Sequence, residues 1–466
     1  MTKRNRRSGR GPILRLAAPF TALTLLAGCS LVPDYLRPAA PVPEHFASVA
    51  EASASAVPSW QEYFADPAVH TLIEAALKHN RDLKIALARV EEARALAGIA
   101  RADRVPTLEA QGSGNRNRTP ADLSGTGRSR TASRYDVALG VTAFELDFWG
   151  RVAALSEAAR AQYLASDEAA KSFRIGLIGD VAGTWLQLGE LAERERLASE
   201  TLNSRTESLE LIRKRRDAGL AGELDVLAAE SLAESVRAQW AELKRQRRQT
   251  ENALSLLTGI AVTLPQAAKA APLAELTPGL SSDVLLRRPD VRAAEQRLRA
   301  ANANVGAARA AFFPRIALTA NLGSASSALS GLFDSGSEAW LFQPVLRLPL
   351  FDGGRNQANL DVAEARKVAA VADYEKTVQQ AFREVADALV AQTTYREQLV
   401  AQTANLQAQQ GRLERVQARA QAGIASYLEV LDASREAFAA EQTLATTRRQ
   451  VLGTQVALYK ALGGGE

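Results

Sequence analysis

The sequence predicts an α+β membrane protein in which a helical unit and a strand pair each occur twice along one chain. Three observations lead there: an internal repeat, two long proline-free stretches (150–216 and 354–421), and two pairs of alternating strands long enough to cross a bilayer. The repeat is clearest where Asp82 to Pro106, DLKIALARVEEARALAGIARADRVP, meets Asp290 to Pro314, DVRAAEQRLRAANANVGAARAAFFP. Ala294, Arg297, Ala301, Ala308 and Arg309 answer Ala86, Arg89, Ala93, Ala100 and Arg101 at an offset of 208. Beyond the prolines the offset becomes 204, pairing Gly354-Arg355 with Gly150-Arg151, Ala422-Gly423 with Ala218-Gly219, and Gly463 with Gly259. Matching at a fixed offset through loops as well as helices marks a duplicated architecture.

Residues 1–28 have the layout of a secretory signal: Lys3, Arg4, Arg6, Arg7, Arg10 and Arg15 without an acid, then the apolar run Leu16 to Ala27. That run is too short for a transmembrane helix, which needs ~20 residues. The six cations exceed the formal charge of +5, so the rest of the chain sums to −1 and lacks the basic footprint of a nucleic-acid binder. The run closes in Leu26-Ala27-Gly28-Cys29, which resembles a bacterial lipobox and implies a covalent lipid such as palmitate on Cys29, with Ser30 directing release to the outer membrane. Cys29 is the single cysteine, so no intrachain disulfide is expected. Residues 29–58 carry Pro33, Pro38, Pro41, Pro43 and Pro58, which predicts an extended, lipid-anchored tether.

Trp60 opens the folded part. In 59–105 the spacing of Val69, Leu72, Ile73, Ala76 and Leu77 predicts an amphipathic helix over Ala68 to Lys78. The strand pair of 106–149 alternates Leu108, Ala110 and Gly112 with polar neighbours, then Tyr135, Val137, Leu139 and Val141 likewise. The second pair, 314–352, does the same with Ile316, Leu318, Ala320 and Leu322 and then Phe342, Leu346, Leu348 and Leu350. About ten residues per strand suffice to cross a bilayer when tilted. Phe144, Phe148, Trp149, Phe312, Phe313, Trp340 and Phe351 gather at strand ends, as at a membrane interface. Asn115 to Ser133 and Ser324 to Ala339 are expected as exposed loops.

Long helical hairpins are expected over 150–258 and 353–462, turning at Gly219, Gly222 and Gly423. Residues 259–288 connect the halves, 289–313 form the second-repeat helix, and 463–466 end the chain. Alanines on several faces, with Val378, Phe382, Val385 and Leu389 at heptad-like positions, suit helices packed on both sides as in a wall. Four strands cannot close a barrel alone, and an open sheet edge is not tolerated in lipid. Copies must therefore join: two would give eight strands with a filled interior, three would give twelve with room for a lumen.

The lipobox, Trp60 to Phe64 with Asp66-Pro67, Asn80 to Leu83, Phe144-Glu145-Leu146-Asp147, Leu285 to Thr319 and Leu458 to Gly464 together resemble the outer-membrane factor lipoproteins, the OprM-like branch of the TolC family. The resemblance covers nearly the whole mature chain. It implies a homotrimeric twelve-stranded outer-membrane β-barrel with a long periplasmic α-helical barrel and an equatorial domain. It also implies a periplasmic membrane-fusion adaptor and an inner-membrane transporter of the resistance-nodulation-division (RND) type as partners, in drug or toxic-compound efflux.

No catalytic constellation is visible. His45, His70 and His79 have no metal-ligand spacing, and neither a nucleophile elbow nor a phosphate-binding loop occurs. The informative positions are at the second hairpin tip. Leu428, Asp432 and Arg435 share one helix face, and the first-half equivalents Leu224, Ala228 and Ser231 lack the charges. On the residues alone, a solvated face with an intrahelical ion pair and a luminal constriction stand side by side. The resemblance implies the second, a periplasmic gate of apolar and acidic rings, with Asp225 and Glu429 at acidic tip positions. Ala420 and Ala425 stand where TolC has a tyrosine and an arginine that tie its tip. An exit duct of a type I protein-secretion system and a pore-less coiled-coil lipoprotein are the competing functions.

Overall fold

The computed structural model describes residues 30–46, 57–262 and 282–465. Cys29 and its lipidation, the signal segment and most of the connection 259–288 lie outside the described residues. In chain order the elements are α1 (Trp60–Tyr63), α2 (Pro67–His79), α3 (Arg81–Ala102), β1 (Leu108–Thr119), β2 (Arg130–Leu146), α4 (Arg151–Asp217) and α5 (Glu223–Thr258). The second half follows with α6 (Pro289–Ala310), β3 (Arg315–Ser326), β4 (Glu338–Arg347), α7 (Arg355–Gln421) and α8 (Tyr427–Ala461). The longest helices, α4 and α7, have 67 residues each. Among the described residues no helix is long and apolar enough to cross a membrane.

The chain divides into two compact units. The first comprises residues up to Pro38 with 91–165 and 295–373. Its sheet is antiparallel in the order β1-β2-β3-β4. Register assigns the faces: Leu108 opposes Val141, Ala110 opposes Leu139, and Leu139 in turn opposes Leu322, which opposes Trp340. One face is thus apolar and uncovered, with Leu108, Leu139, Leu322, Trp340, Phe342 and Leu346 exposed in the single chain. The other face carries Glu109, Gln111, Ser113, Asp136, Thr142, Asn321 and Gln343, with Gln111 Nε2 donating to Thr142 Oγ1 at 3.0 Å. Between Val141 and Phe144 the register slips and Ala143 takes φ 53°. This bulge shifts the parity, so Phe144 and Leu146 join the apolar face that Val137, Leu139 and Val141 occupy before it.

Two expectations are corrected here. Strands of about ten residues hold for β4, but β2 has 17. The expected loops are shorter, because 115–119 pairs with 130–134 and the ladder continues through polar residues; only 120–129 joins β1 to β2. Lacking apolar alternation, those strand ends read as loop.

Outside the sheet, this unit packs alanines, Ala158 and Ala161 of α4 against Ala300 and Ala303 of α6. Small side chains allow close helix approach. Ser30 to Pro38 lies along α6 rather than running free: Asn302 Nδ2 donates to the Pro33 carbonyl at 2.7 Å, and Arg37 makes two bonds to the buried Glu295 carboxylate at 3.1 and 2.7 Å. Gly306 is needed beneath this strap, since a Cβ there would sit 2.5 Å from Val32 Cγ2. Trp149 stacks on Phe313 at 4.7 Å and donates to the Pro314 carbonyl, so this aromatic pair also fixes the strand-to-helix joint.

The second unit comprises 39–90, 166–294 and 374–466. Its main core joins Trp60, Tyr63, Phe64, Val69, Leu72 and Ile73 to Leu177–Leu188 positions of α4, Leu254 of α5, and Val456 and Tyr459 of α8. The scattered sequence motifs converge here. Tyr63 stacks on Tyr459 at 4.7 Å and donates to the Gln455 carbonyl at 2.9 Å. Asn80 caps α3 by accepting from Leu83 N and donates to the Leu257 carbonyl. Arg288, 7% exposed, donates to Asp290, Glu384 and the Ala461 carbonyl, so a buried charge is fully paired. Phe382 stacks on Phe46 at 4.6 Å, while Val378, Val385 and Leu389 are buried.

Candidate functional site at the hairpin tips

Both tips are built by the same local chemistry. Gly219 and Gly423 hold φ of 75° and 74°, the left-handed conformation that ends α4 and α7. Leu220 N then reaches back to the Arg215 carbonyl at 2.7 Å, and Ile424 N to the Arg419 carbonyl at 2.9 Å. Gly222, expected among the turn glycines, has φ −87° and serves as the N-cap of α5. Ser426, its repeat mate, caps α8.

The two acids read as tip acids have a structural task in the single chain. Glu429 Oε1 accepts from Ser426 N at 3.1 Å, and Asp225 Oδ2 accepts from Gly222 N at 3.0 Å. Each therefore satisfies an orphan N–H at a helix start and complements the helix dipole. The Ser426 backbone N–H first, its hydroxyl next, and the charges of Arg419 and Arg412 hold the Glu429 carboxyl below its usual range.

Leu428, Asp432 and Arg435 lie on one exposed face of α8, Leu428 with 66% of its surface open. Asp432 is not a bare carboxylate. Its Oδ1 accepts from Arg435 Nη2 at 2.8 Å and its Oδ2 from Arg412 Nη2 of α7 at 2.7 Å. Arg435 also reaches Glu436 at 3.2 Å. The network therefore crosses the hairpin instead of staying within one helix. Arg412 is not apparent from the α8 pattern because it stands on the other arm. Counting outward from Gly423, 11 residues back and 9 forward, sets Arg412 and Asp432 side by side in an antiparallel pair, and that signal could have found it.

The first tip carries different links, Arg213 with Glu230 at 3.4 Å and Arg216 with Glu223 at 3.3 Å. Its positions Leu224, Ala228 and Ser231 offer no charge. Tyr427 ties the second tip to the first by packing on the cluster of Leu209, Ile212, Val226 and Ala229. Higher on α4, Arg205 is 6% exposed, donates to the Leu232 carbonyl at 3.2 Å and lies 5.2 Å from the Phe438 ring centre. Burial without an acid partner pulls its guanidinium down to about 10. His70 does structural work: it bonds the Phe64 carbonyl and packs edge-on to Trp60.

The outer membrane efflux protein family model matches residues 72–260 and 280–464. The chain belongs to this family. Within it, the chain falls in the OprM-like branch of the TolC family. It is 48% identical over 459 residues to the solvent efflux pump outer membrane protein SrpC of Pseudomonas putida, covering 96% of this chain and 97% of that one. Among solved structures, a membrane protein from Pseudomonas aeruginosa superposes with a TM-score of 0.89 at 45% identity, covering 94% and 98% of the two chains. The open state of the Neisseria gonorrhoeae MtrE outer membrane channel matches with 0.84 at 38% identity, covering 94% and 98%. The fold class is that of the trimeric channels of this family, in which each chain gives four strands to a twelve-stranded outer-membrane barrel. This efflux protein is the outer-membrane channel component of an efflux pump, and its family is one of channels, not enzymes.

Proposed function

We propose that the protein is the passive exit duct of a tripartite pump, anchored by a lipid on Cys29 and gated at its periplasmic tip by Leu428, Asp432 and Arg435. Three copies of Leu428 narrow the lumen, and Asp432 with its arginines forms a charged ring beside it. Asp225 and Glu429 keep the helix starts at the tip in register. A periplasmic membrane-fusion adaptor and an inner-membrane RND transporter engage the tips and bias the second hairpins outward, a shift between two packings. The transporter supplies the energy. The cargo is small toxic compounds, with apolar solvents favoured by the likeness to SrpC.

The observation that carries the reading is the Arg412–Asp432–Arg435 bridge, on the helix face that gains charges its repeat mates Ala228 and Ser231 lack. Single-channel recording tests it: Asp432→Ala with Arg435→Ala should raise conductance or open probability, and unchanged traces would remove these residues from the gate. The anchor is tested separately by radiolabelled palmitate, which should label the wild type and not Cys29→Ser.

A further inference from the structure

On the apolar face of β1 the residues run Leu108, Ala110, Gly112, Gly114, Arg116 and Arg118. Register sets Arg116 opposite Ser133 and Arg118 opposite Thr131, with Tyr135 over Gly114, where a Cβ would sit 3.2 Å from the Tyr135 ring. Both arginines are exposed, and among the described residues neither forms an ion pair with an acid. The basic residues Arg130 and Arg134 belong to the opposite face, where Arg134 is neutralised by Asp136 at 2.7 Å.

Position along the strand decides what this pair meets. The helices leave the strands at the Leu108 and Leu146 ends, so the β1-β2 turn lies at the far, outer end of the sheet. Leu108 is level with Ala320, and the apolar face continues about four residues further inward to Leu146, Ile316 and Leu346. At roughly 3.3 Å per residue, Arg116 and Arg118 lie about 40 and 46 Å along the strands from that inner edge, or about 30 and 35 Å in height at a ~40° tilt, just beyond the apolar band. The apolar band of such barrels is ~25 Å tall, and Tyr135, opposite Gly114, places an aromatic ring just below the arginine pair. The two guanidiniums thus stand at the outer headgroup boundary, facing lipid. Guanidinium forks with hydroxyls beside them match phosphate in charge and geometry.

We propose that Arg116 and Arg118, with Thr131, Ser133 and Tyr135, form a binding site for the phosphate-bearing headgroup of an outer-leaflet glycolipid. This rests on the barrel fold class and is independent of the gate. Three sites per trimer follow.

The test uses the purified full-length trimer in detergent and native mass spectrometry with bisphosphorylated lipid A, a dephosphorylated lipid A and free inorganic phosphate. Arg116→Ala with Arg118→Ala should weaken retention of the bisphosphorylated lipid about tenfold or more. The dephosphorylated lipid should bind wild type and variant alike, and millimolar phosphate should not displace the lipid. Arg130→Ala, which removes a charge from the other face at the same end of the sheet, should bind as the wild type does. Equal retention by the double variant, or equal loss in Arg130→Ala, overturns the proposal. So does dissociation of the double variant into monomers with lipid retention unchanged per trimer, because β1 and β4 are edge strands and Glu338 shares this face, so such a result would place the arginines in a subunit contact.

Discussion

Replacing Asp432 by Asn keeps the side-chain volume and removes the one charge that both Arg412 and Arg435 share. The two ion pairs lost are short, 2.7 and 2.8 Å, but their partners are 40 to 62% exposed. Exposed pairs contribute about 0.2–1 kcal/mol each, so two come to roughly 1 kcal/mol per protomer. If the proposed opening parts these contacts in all three copies together, about 3 kcal/mol favours the closed tip, a factor of about 150 in the closed-to-open ratio. The two guanidiniums left facing each other add to the change. Because the pairs are exposed, salt must matter: the screening length falls from ~10 Å at 0.1 M to ~3 Å at 1 M. Planar-bilayer recording at both salt concentrations reads this out. Wild type should open more often at 1 M than at 0.1 M, and Asp432→Asn should be open at both with little salt dependence. A variant whose open probability and salt response equal those of the wild type refutes the reasoning.

Glu429 gives a pH prediction. Its folded pKa lies below the ordinary 4.5, so its stabilisation of the α8 start is complete above that pH and is lost as pH falls through the folded value. The protection of amides in the first turn of α8, taken relative to the intrinsic exchange rate at each pH, should therefore fall in acid, and Glu429→Ala should show the low protection at every pH. Gly423→Ala and Gly219→Ala each force alanine to a φ near 75°, costing about 1–2 kcal/mol, but only the first should alter open probability in bilayer recordings. Glu295→Ala leaves Arg37 and Arg299 without their shared carboxylate. It should raise hydrogen exchange across Ser30 to Pro38 while trimer migration on gels is unchanged, at a local cost of about 1–3 kcal/mol.

The duplication and the alternation in the strands were legible because both depend on spacing, which a chain displays directly. The motif residues Trp60 to Phe64, Asn80 and Leu458 to Gly464 were visible as a set, but not what they do; contacts such as Tyr63 on Tyr459 join positions nearly 400 residues apart. The outer strand ends were hidden because Asn115 to Thr119 is polar on both faces and only backbone pairing declares it a strand. The bulge at Ala143 was hidden for a related reason: the sequence shows the parity of Val137, Leu139 and Val141 giving way to Phe144 and Leu146, but not which residue is extra. At the tip, Leu428, Asp432 and Arg435 could be seen on one helix by counting turns. Arg412 required the antiparallel register of two helices, and the capping roles of Asp225 and Glu429 required backbone geometry.

The central claim, that four strands per chain are completed by identical neighbours, is tested most directly by the mass of the unheated, detergent-extracted protein. Native mass spectrometry should give three chains per particle, falling to one only after heating, with β-sheet content retained in the trimer. A stable single-chain particle that keeps its four strands and leaves bilayers unpermeabilised would contradict it.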